Sequence, residues 1–339
     1  MGGEVWTLAE MRAGTLHSVS LELLAWGRGL ADTLGVPLAS VVLGSGLDGV
    51  EKPLFAGGAD KVYVVDTPSL LHYYSDAAAK VLAEMARKFS PQIIIASATT
   101  QGRSTMPALS AMLEAGLTAD CTGLSIRDGR LLQTRPAIGG NVMADIMTPE
   151  RRSGSNPQGL TNPPQMCTVR PKSRRPLTPD ATRSGEVVRY KPQENSLSSL
   201  IEFLSFEAEQ RVGLPIQDAD VIVAGGKGMK GAKNFALLDE LAQLLNGSVG
   251  ASRNAVDLGW APYSAQVGLS GKSVTPRLYI ACGISGAVQH LAGMSGAEKV
   301  IAVNTDPDAP IFGAADFGVV GSVLDVLPQL IGALRGKAK

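Results

Sequence analysis

Cysteine and histidine are both scarce, three of each in 339 residues. Cys121, Cys167 and Cys282 are far apart, odd in number and without metal-ligand spacing, which argues against a secreted disulfide framework, and ordinary buried thiols in a reducing compartment are expected. An excess of charge of one sign is lacking too: Lys plus Arg and Asp plus Glu both count 31. That balance argues against a nucleic acid or another polyanion as the main partner. No apolar run approaches the ~20 residues that cross a bilayer, and no membrane insertion is expected. No internal repeat stands out, and no G-x-G-x-x-G nicotinamide fingerprint follows a strand-like run. Met1-Gly2-Gly3-Glu4-Val5-Trp6 starts on a strand-like pattern instead of a targeting segment, so a soluble, cytoplasmic protein is the expectation.

What is present is alternation. From Glu4 to Ser97 short apolar runs (Val5 to Leu8, Leu38 to Leu43, Val62 to Val65, Ile93 to Ala96) alternate with helix-period segments (Leu21 to Leu34, Ala77 to Phe89), the mark of βαβ units on a parallel sheet. Thr99-Thr100-Gln101-Gly102-Arg103-Ser104 then opens a helix to about Glu114, read as a capped helix start in preference to a nucleotide turn. Past Thr118 the pieces become hairpin-like: Cys121 to Ile126, the turn Arg127-Asp128-Gly129-Arg130, Leu131 to Arg135 and Asn141 to Met147, an antiparallel extension. Thr148 to Pro164 reads as a surface loop with Arg151 and Arg152 solvated. The basic, proline-bearing Lys172 to Arg183 is either an exposed connection or a partner-facing ridge. Alternation resumes after Ala208, with extended runs Val221 to Ala224, Ser248 to Gly250, Leu278 to Ala281, Val300 to Val303 and Gly318 to Val320. Helical segments there are Leu237 to Leu245, Ala287 to Leu291 and Leu324 to Leu334. The length supports more than one core, and the expected fold is α/β in two domains: residues 1–207, a Rossmann-like parallel sheet with an antiparallel extension, and residues 208–339, a second, doubly wound sheet.

The stretch from Gly247 to Asp306 is the candidate site. Gly283-Ile284-Ser285-Gly286 can leave a buried strand, turn tightly and begin a helix at Ala287, with free N–H groups facing an anion such as phosphate. Together with Gly225-Gly226-Lys227-Gly228-Met229 and Asp306-Pro307-Asp308-Ala309-Pro310-Ile311-Phe312, this stretch closely resembles the α subunit of electron transfer flavoprotein, including the nitrogen-fixation-associated and bifurcating homologues. The match is dense from about Asp218 onward and looser, though continuous in layout, before that.

The resemblance implies FAD in the second domain and a first domain that pairs with a β subunit, with Ala208 to Asp218 as the hinge on which the second domain swivels. It implies an electron shuttle between acyl-CoA or other flavin dehydrogenases, as in fatty acid β-oxidation, and a quinone oxidoreductase, ferredoxin or flavodoxin. It also implies roles for individual residues. Arg253 is the ring-side cation, favouring the negative charge that reduction places on the flavin. Ser270 faces the N5 edge, where a hydroxyl can donate to oxidised and accept from reduced nitrogen. His290 lies near the pyrimidine oxygen, with Gln289 against the pocket. Ser285 and Gly286, assisted by Ser252 and Lys227, hold the phosphates. Asn304, Ser322 and Val323 stand on the adenosine side, and Gln266, Val267, Gly268, Leu269, Ala287 and Val288 complete the cofactor-binding set. Relatives differ at several of these: many carry Arg at Lys227, Thr at Ser270, Gln at Leu269 and an acidic residue at Ser322. Asp316 is read as a loop-orienting residue, and His17 and His72 as structural.

Two forms of the family fit these residues, a simple carrier and a bifurcating one that takes electrons from NADH at a second flavin in the β subunit. Outside the family, a non-redox nucleotide-binding module and a self-contained NADH-dependent flavoenzyme are the alternatives.

Overall fold

Apolar runs of four to seven residues bounded by Gly, Pro and polar turns form strands here because a parallel sheet covered on both faces buries every side chain of such a run. The computed structural model describes residues 3–12, 14–137, 142–148, 162–205 and 214–337. The chain divides into two compact units, Met1–Phe206 and Glu207–Lys339.

Unit 1 runs β1 (Val5–Ala9), β2 (Met11–Arg12), β3 (Thr15–Leu16), α1 (Val19–Leu34), β4 (Leu38–Gly44), α2 (Glu51–Ala56), β5 (Lys61–Asp66), α3 (Ser75–Phe89), β6 (Ile93–Ser97), α4 (Thr100–Leu113), β7 (Leu117–Cys121), β8 (Gly123–Arg127), β9 (Arg130–Pro136), β10 (Met143–Met147), β11 (Gln165–Val169), β12 (Glu186–Arg189) and α5 (Glu194–Leu197). Its main sheet has seven strands in the order β12-β5-β4-β1-β6-β11-β7, all parallel. One face packs Leu23, Leu24, Trp26 and Leu54, the other Trp6, Tyr63, Met85 and Leu109. The strands β8, β9 and β10 form the antiparallel extension, its first turn carried by Asp128 and Gly129 at positive φ. α4 starts as expected from its cap, the Thr99 hydroxyl accepting from the Gly102 N–H at 3.2 Å.

The structure departs from the sequence reading at β7 to β8 and at β11 and β12 in this unit, and bears on two further stretches. Cys121 to Ile126 is not one strand: Asp120 takes φ +60 and the chain passes from β7, in the main sheet, to β8, in the extension. β11 and β12 had no expectation attached; β11 is inserted between β6 and β7, and β12 is an edge strand beside β5. In the basic stretch, the Arg174 guanidinium lies 4.7 Å over the Trp26 ring and Arg183 donates to Asp60 at 3.0 Å. Both cations are therefore engaged within unit 1, which favours the connection over the partner-facing ridge. Finally, β10 begins at Met143; Asn141, and Arg151 and Arg152 with most of their loop, lie outside the described residues.

Unit 2 runs β13 (Val221–Gly225), α6 (Phe235–Leu244), β14 (Ser248–Ala251), α7 (Arg253–Asp257), β15 (Leu278–Cys282), α8 (Val288–Met294), β16 (Lys299–Asn304), β17 (Phe317–Val320) and α9 (Val323–Lys337). Its sheet order is β14-β13-β15-β16-β17, parallel throughout. Alternate side chains go to opposite faces. Ile280 and Cys282 join Leu238, Leu241, Leu327 and Ile331 from α6 and α9. Tyr279 and Ala281 join Val267, Val274, Met294 and Ile311 on the other face. All three cysteines are buried and free.

Candidate functional site

In an open parallel sheet, ligands bind outside the carboxyl ends of the strands where the order reverses. In unit 2 that point lies between β13 and β15, since β14 is added on one side and β15 to β17 on the other. There the loops touch backbone to backbone. Gly226 N–H donates to the Cys282 carbonyl and Gly228 N–H to the Gly283 carbonyl, both at 2.9 Å. A Cβ on Gly228 would stand 2.6 Å from Gly283 Cα, so only glycine permits this approach. Lys227 stands exposed between the two.

After β15 the chain turns through Gly286 at φ +85, and Ile311 N–H donates to the Ser285 carbonyl at 3.1 Å. The N–H groups of Ser285, Gly286 and Ala287 have no acceptor among the described residues. The helix begins at Val288, with Ala287 as its cap residue, one position later than expected. Asn304 anchors this corner, its Nδ2 donating to the Ile284 carbonyl at 2.9 Å and its Oδ1 accepting from Asp306 N–H at 3.0 Å. Gly321 N–H donates to the Asn304 carbonyl at 2.9 Å, which brings Ser322 to the same edge. The Ser322 carbonyl accepts the first turn of α9 from Asp325 and Val326 N–H.

Ser252 caps α7, its N–H donating to the Gly225 carbonyl at 2.9 Å and its hydroxyl accepting from Ala255 N–H at 3.4 Å. Arg253, the first residue of that helix, is 70% exposed and, among the described residues, faces only Asp257, at 3.5 Å. The segment 263–272 is stitched between β14 and α8: Val267 N–H donates to the Ala251 carbonyl and Leu269 N–H to the Gln289 carbonyl, both at 2.9 Å. Buried Gln266 donates from Nε2 to the Ser270 hydroxyl at 3.0 Å. That leaves the Ser270 proton free to be donated, because the hydroxyl is held as an acceptor. Gly268, at φ +142, lies so close to α8 that a Cβ there would be 3.0 Å from the Gln289 carbonyl oxygen.

His290 is buried, and its Nε2 is 2.9 Å from the Tyr279 hydroxyl. Its Nδ1 is buried and makes no hydrogen bond of normal geometry among the described residues. Burial pushes the imidazole down to about 4, against a smaller upward pull from the Val267 carbonyl. The ring is therefore neutral near pH 7.

Since all five strands are parallel, Lys227, Ser252, Arg253, Ser285 to His290, Asn304 and Ser322 collect at one sheet edge, and Gln266 to Ser270 are tied to it through Ala251 and Gln289. Three positions need correction in what they can contribute. Val267 and Val323 bury their side chains in the core, so only main-chain atoms face outward. Leu269 has its N–H taken by Gln289, so its amide cannot replace the side-chain donor that leucine lacks. Asp316 is occupied by Lys299 Nζ and Val300 N–H at 2.7 and 2.8 Å, a loop-orienting role. Tyr279 and Tyr263, whose hydroxyl donates to the Ser270 carbonyl at 2.8 Å, were not foreseen; nothing in their spacing separates them from ordinary core and turn residues.

In unit 1 the reversal lies between β1 and β6, and its carboxyl edge is tied internally. The Thr99 hydroxyl donates to the buried Glu10 carboxyl at 2.5 Å, and Arg103 faces Asp120 at 3.7 Å. Burial pushes the Glu10 carboxyl above its ordinary range.

The fold and this edge define an α/β protein of two parallel-sheet units, the second carrying glycine-rich turns at the carboxyl edge of its sheet. The electron transfer flavoprotein domain family matches residues 5–195 and the electron transfer flavoprotein FAD-binding domain family matches residues 215–295. The chain is 44% identical to the electron transfer flavoprotein subunit alpha of Thermoanaerobacterium thermosaccharolyticum, over 98% of both chains. It is 46% identical to Protein FixB of Clostridium saccharobutylicum, over 96% of this chain and 95% of that one. With the α subunit of Megasphaera elsdenii the figures are 43%, 98% and 96%. The chain belongs to the electron transfer flavoprotein α-subunit family, an electron-transport flavoprotein family whose cofactor is FAD and whose α subunits pair with a β subunit. Among the described residues no helix is long and apolar enough to cross a membrane, and no group of three or more His, Cys, Asp or Glu could hold a metal.

Proposed function

We infer that the carboxyl edge of unit 2 holds FAD and that the chain, paired with its β subunit, carries electrons from acyl-CoA or other flavin dehydrogenases to a quinone oxidoreductase, ferredoxin or flavodoxin in the cytoplasm. The observation that carries this is the set of unused groups gathered there: a nearly free guanidinium, a hydroxyl with its proton to donate, three unpartnered amides and one unpartnered imidazole nitrogen. Such a set fits FAD, whose two ends ask for different things: a pyrophosphate wants amide donors and a cation, and the ring wants charge and directed hydrogen bonds.

The residues then divide the work. Ser285, Gly286 and Ala287 present N–H groups to the pyrophosphate, with Ser252 and Lys227 beside them; the lysine acts as a point charge without the bidentate fork of arginine. Ser270 donates its hydroxyl proton toward N5, held in place by Gln266. Arg253 places a permanent positive charge beside the ring, and neutral His290 donates without adding charge. Gln289, Val288, Gly268 and Leu269 shape the wall, Asn304, Ser322 and the main chain of Val323 the adenosine side. FAD, when bound, supplies the one- and two-electron chemistry. Unit 1 is assigned to the β-subunit contact. Of the hinge Ala208 to Asp218, residues 208–213 lie outside the described residues.

Purification with the β subunit tests the reading. A yellow heterodimer that loses and regains FAD supports it, and a colourless one that takes up no FAD on reconstitution would falsify it. Flavins per heterodimer then separate the two forms, one FAD for a simple carrier and two for the NADH-linked one.

A further inference from the structure

We propose that Tyr279 is a positioning residue for the flavin site: its phenol donates to Nε2 of His290 and so fixes the proton on Nδ1, the ring nitrogen that makes no hydrogen bond among the described residues. This rests on the FAD reading of the unit-2 edge and extends it to a residue that no motif singles out.

Tyr279 lies inside the apolar run of β15 and is fully buried, on the sheet face that α8 crosses. The two rings meet edge to face, with centroids 6.1 Å apart and planes at 61°, and the hydroxyl reaches Nε2 at 2.9 Å. A buried phenol has one proton to place, and among the described residues its hydroxyl has no other partner. Two arrangements are available. If Nε2 carried the ring proton, the phenol would accept it, and both the phenol O–H and the Nδ1 lone pair would be buried without partners. If the phenol donates to Nε2, only the Nδ1 N–H lacks one. One orphan is better than two, because each unmade hydrogen bond of a buried group is unfavourable. The nearby Val267 carbonyl acts in the same sense, favouring a ring N–H. Burial also keeps the ring neutral, so the question is one of tautomer and not of charge. A neutral Nδ1–H beside the pyrimidine oxygen is a donor whose strength grows as reduction puts negative charge there.

The test reads the tautomer directly, without cofactor. The full chain is prepared with nitrogen-15 in its imidazoles only, which gives three side chains: His17, whose Nδ1 accepts from Val19 N–H at 3.3 Å, His72, stacked on Phe203 at 3.5 Å, and His290. The expected spectrum has one imidazole in the Nδ1–H form that stays neutral from pH 8 to pH 5, and its Nδ1 resonance moves when FAD is added. An Nε2–H form of the His290 ring in the cofactor-free wild type overturns the proposal; His17, whose Nδ1 is an acceptor, supplies the Nε2–H reference. Tyr279→Phe should shift the tautomer balance severalfold toward Nε2–H and weaken FAD binding about threefold to tenfold, more for reduced than for oxidised FAD. Unchanged tautomer and affinities in that variant also overturn it. Should the variant fail to fold, fluorotyrosine incorporated into the wild-type chain takes its place: a more acidic phenol must move the His290 Nε2 resonance, and no movement overturns the assignment. A wild-type chain showing the Nδ1–H tautomer but taking up no FAD overturns the cofactor reading, and with it the purpose given to this donor.

Discussion

Arg253 and His290 stand at opposite ends of the solvation scale, and their behaviour follows from that. The guanidinium is 70% exposed with, among the described residues, a single loose carboxylate partner, so removing it should leave the fold almost unchanged. Its effect is expected on the cofactor: Arg253→Ala should lower the flavin's two-electron potential by about 30 mV, equivalent to about 1.4 kcal/mol. A spectroelectrochemical titration measures this, and an unchanged potential removes Arg253 from the ring. His290 titrates with folding instead. Its folded-state value, pushed down to about 4 by burial, lies below the unfolded value of about 6.5. Its stabilising contribution is therefore complete above about pH 6.5 and is lost as pH falls through about 4, by on the order of 3 kcal/mol. Glu10, raised by burial, works in the opposite sense, so the histidine term is read as a difference: urea midpoints of wild type and His290→Gln should diverge above pH 6.5 and converge toward pH 4. Parallel curves would show that the imidazole is not held neutral. Arg253 was legible in the sequence because Gly250-Ala251-Ser252-Arg253 carries a recognisable pattern. The buried partner that holds His290 was not, because a tyrosine in a strand run reads as core and its hydroxyl contact is made by tertiary packing alone.

Elements were legible where one apolar run met one role. The unit-2 strands are short and closed by glycine or a polar cap, the central β13 and β15 buried on both faces and the edge strand β17 exposed, and their boundaries agree with the sequence reading to within a residue or two. β11 and β12 fail that test for different reasons. Gln165–Val169 is buried only because it slides between β6 and β7 from far along the chain, and Glu186–Arg189 is a mostly exposed edge strand without alternation. The loops at the carboxyl edge depend on glycine in a way that can be measured. Gly286 combines φ +85 with a position where a Cβ would stand 2.2 Å from Ile311 N. Gly286→Ala should therefore destabilise unit 2 by about 2 kcal/mol or more and weaken FAD uptake beyond the loss of stability, because the free amides of Ser285 to Ala287 would be re-aimed. Gly332→Ala is the control: beyond its chain neighbours and its own helix backbone, no described atom lies within 4 Å of its added Cβ, and within α9 it should be neutral or stabilising by up to ~1 kcal/mol. Equal midpoints for the two variants in urea would refute the crowding argument.

Each unit closes its own pair of apolar layers, one pair around Trp26 and Trp6, the other around Leu238 and Tyr279. Cores that share no residues have no built-in reason to melt together, so calorimetry of the FAD-free chain should resolve two transitions. FAD gives the assignment. A ligand that binds only folded unit 2 stabilises it by about 2.7 kcal/mol at a hundred times its dissociation constant, so the unit-2 transition should climb with FAD concentration while the other stays fixed. A unit-1 core deletion supplies the complement: Leu54, fully buried among α1, α2 and the sheet, should cost about 2–5 kcal/mol as Leu54→Ala, lowering the FAD-insensitive transition alone. A single transition that moves as a whole with both FAD and Leu54→Ala would mean that the two units fold as one cooperative body. A pair of transitions answering separately would mean that unit 2 can be stabilised by FAD, and unit 1 destabilised by a core deletion, one at a time within this chain.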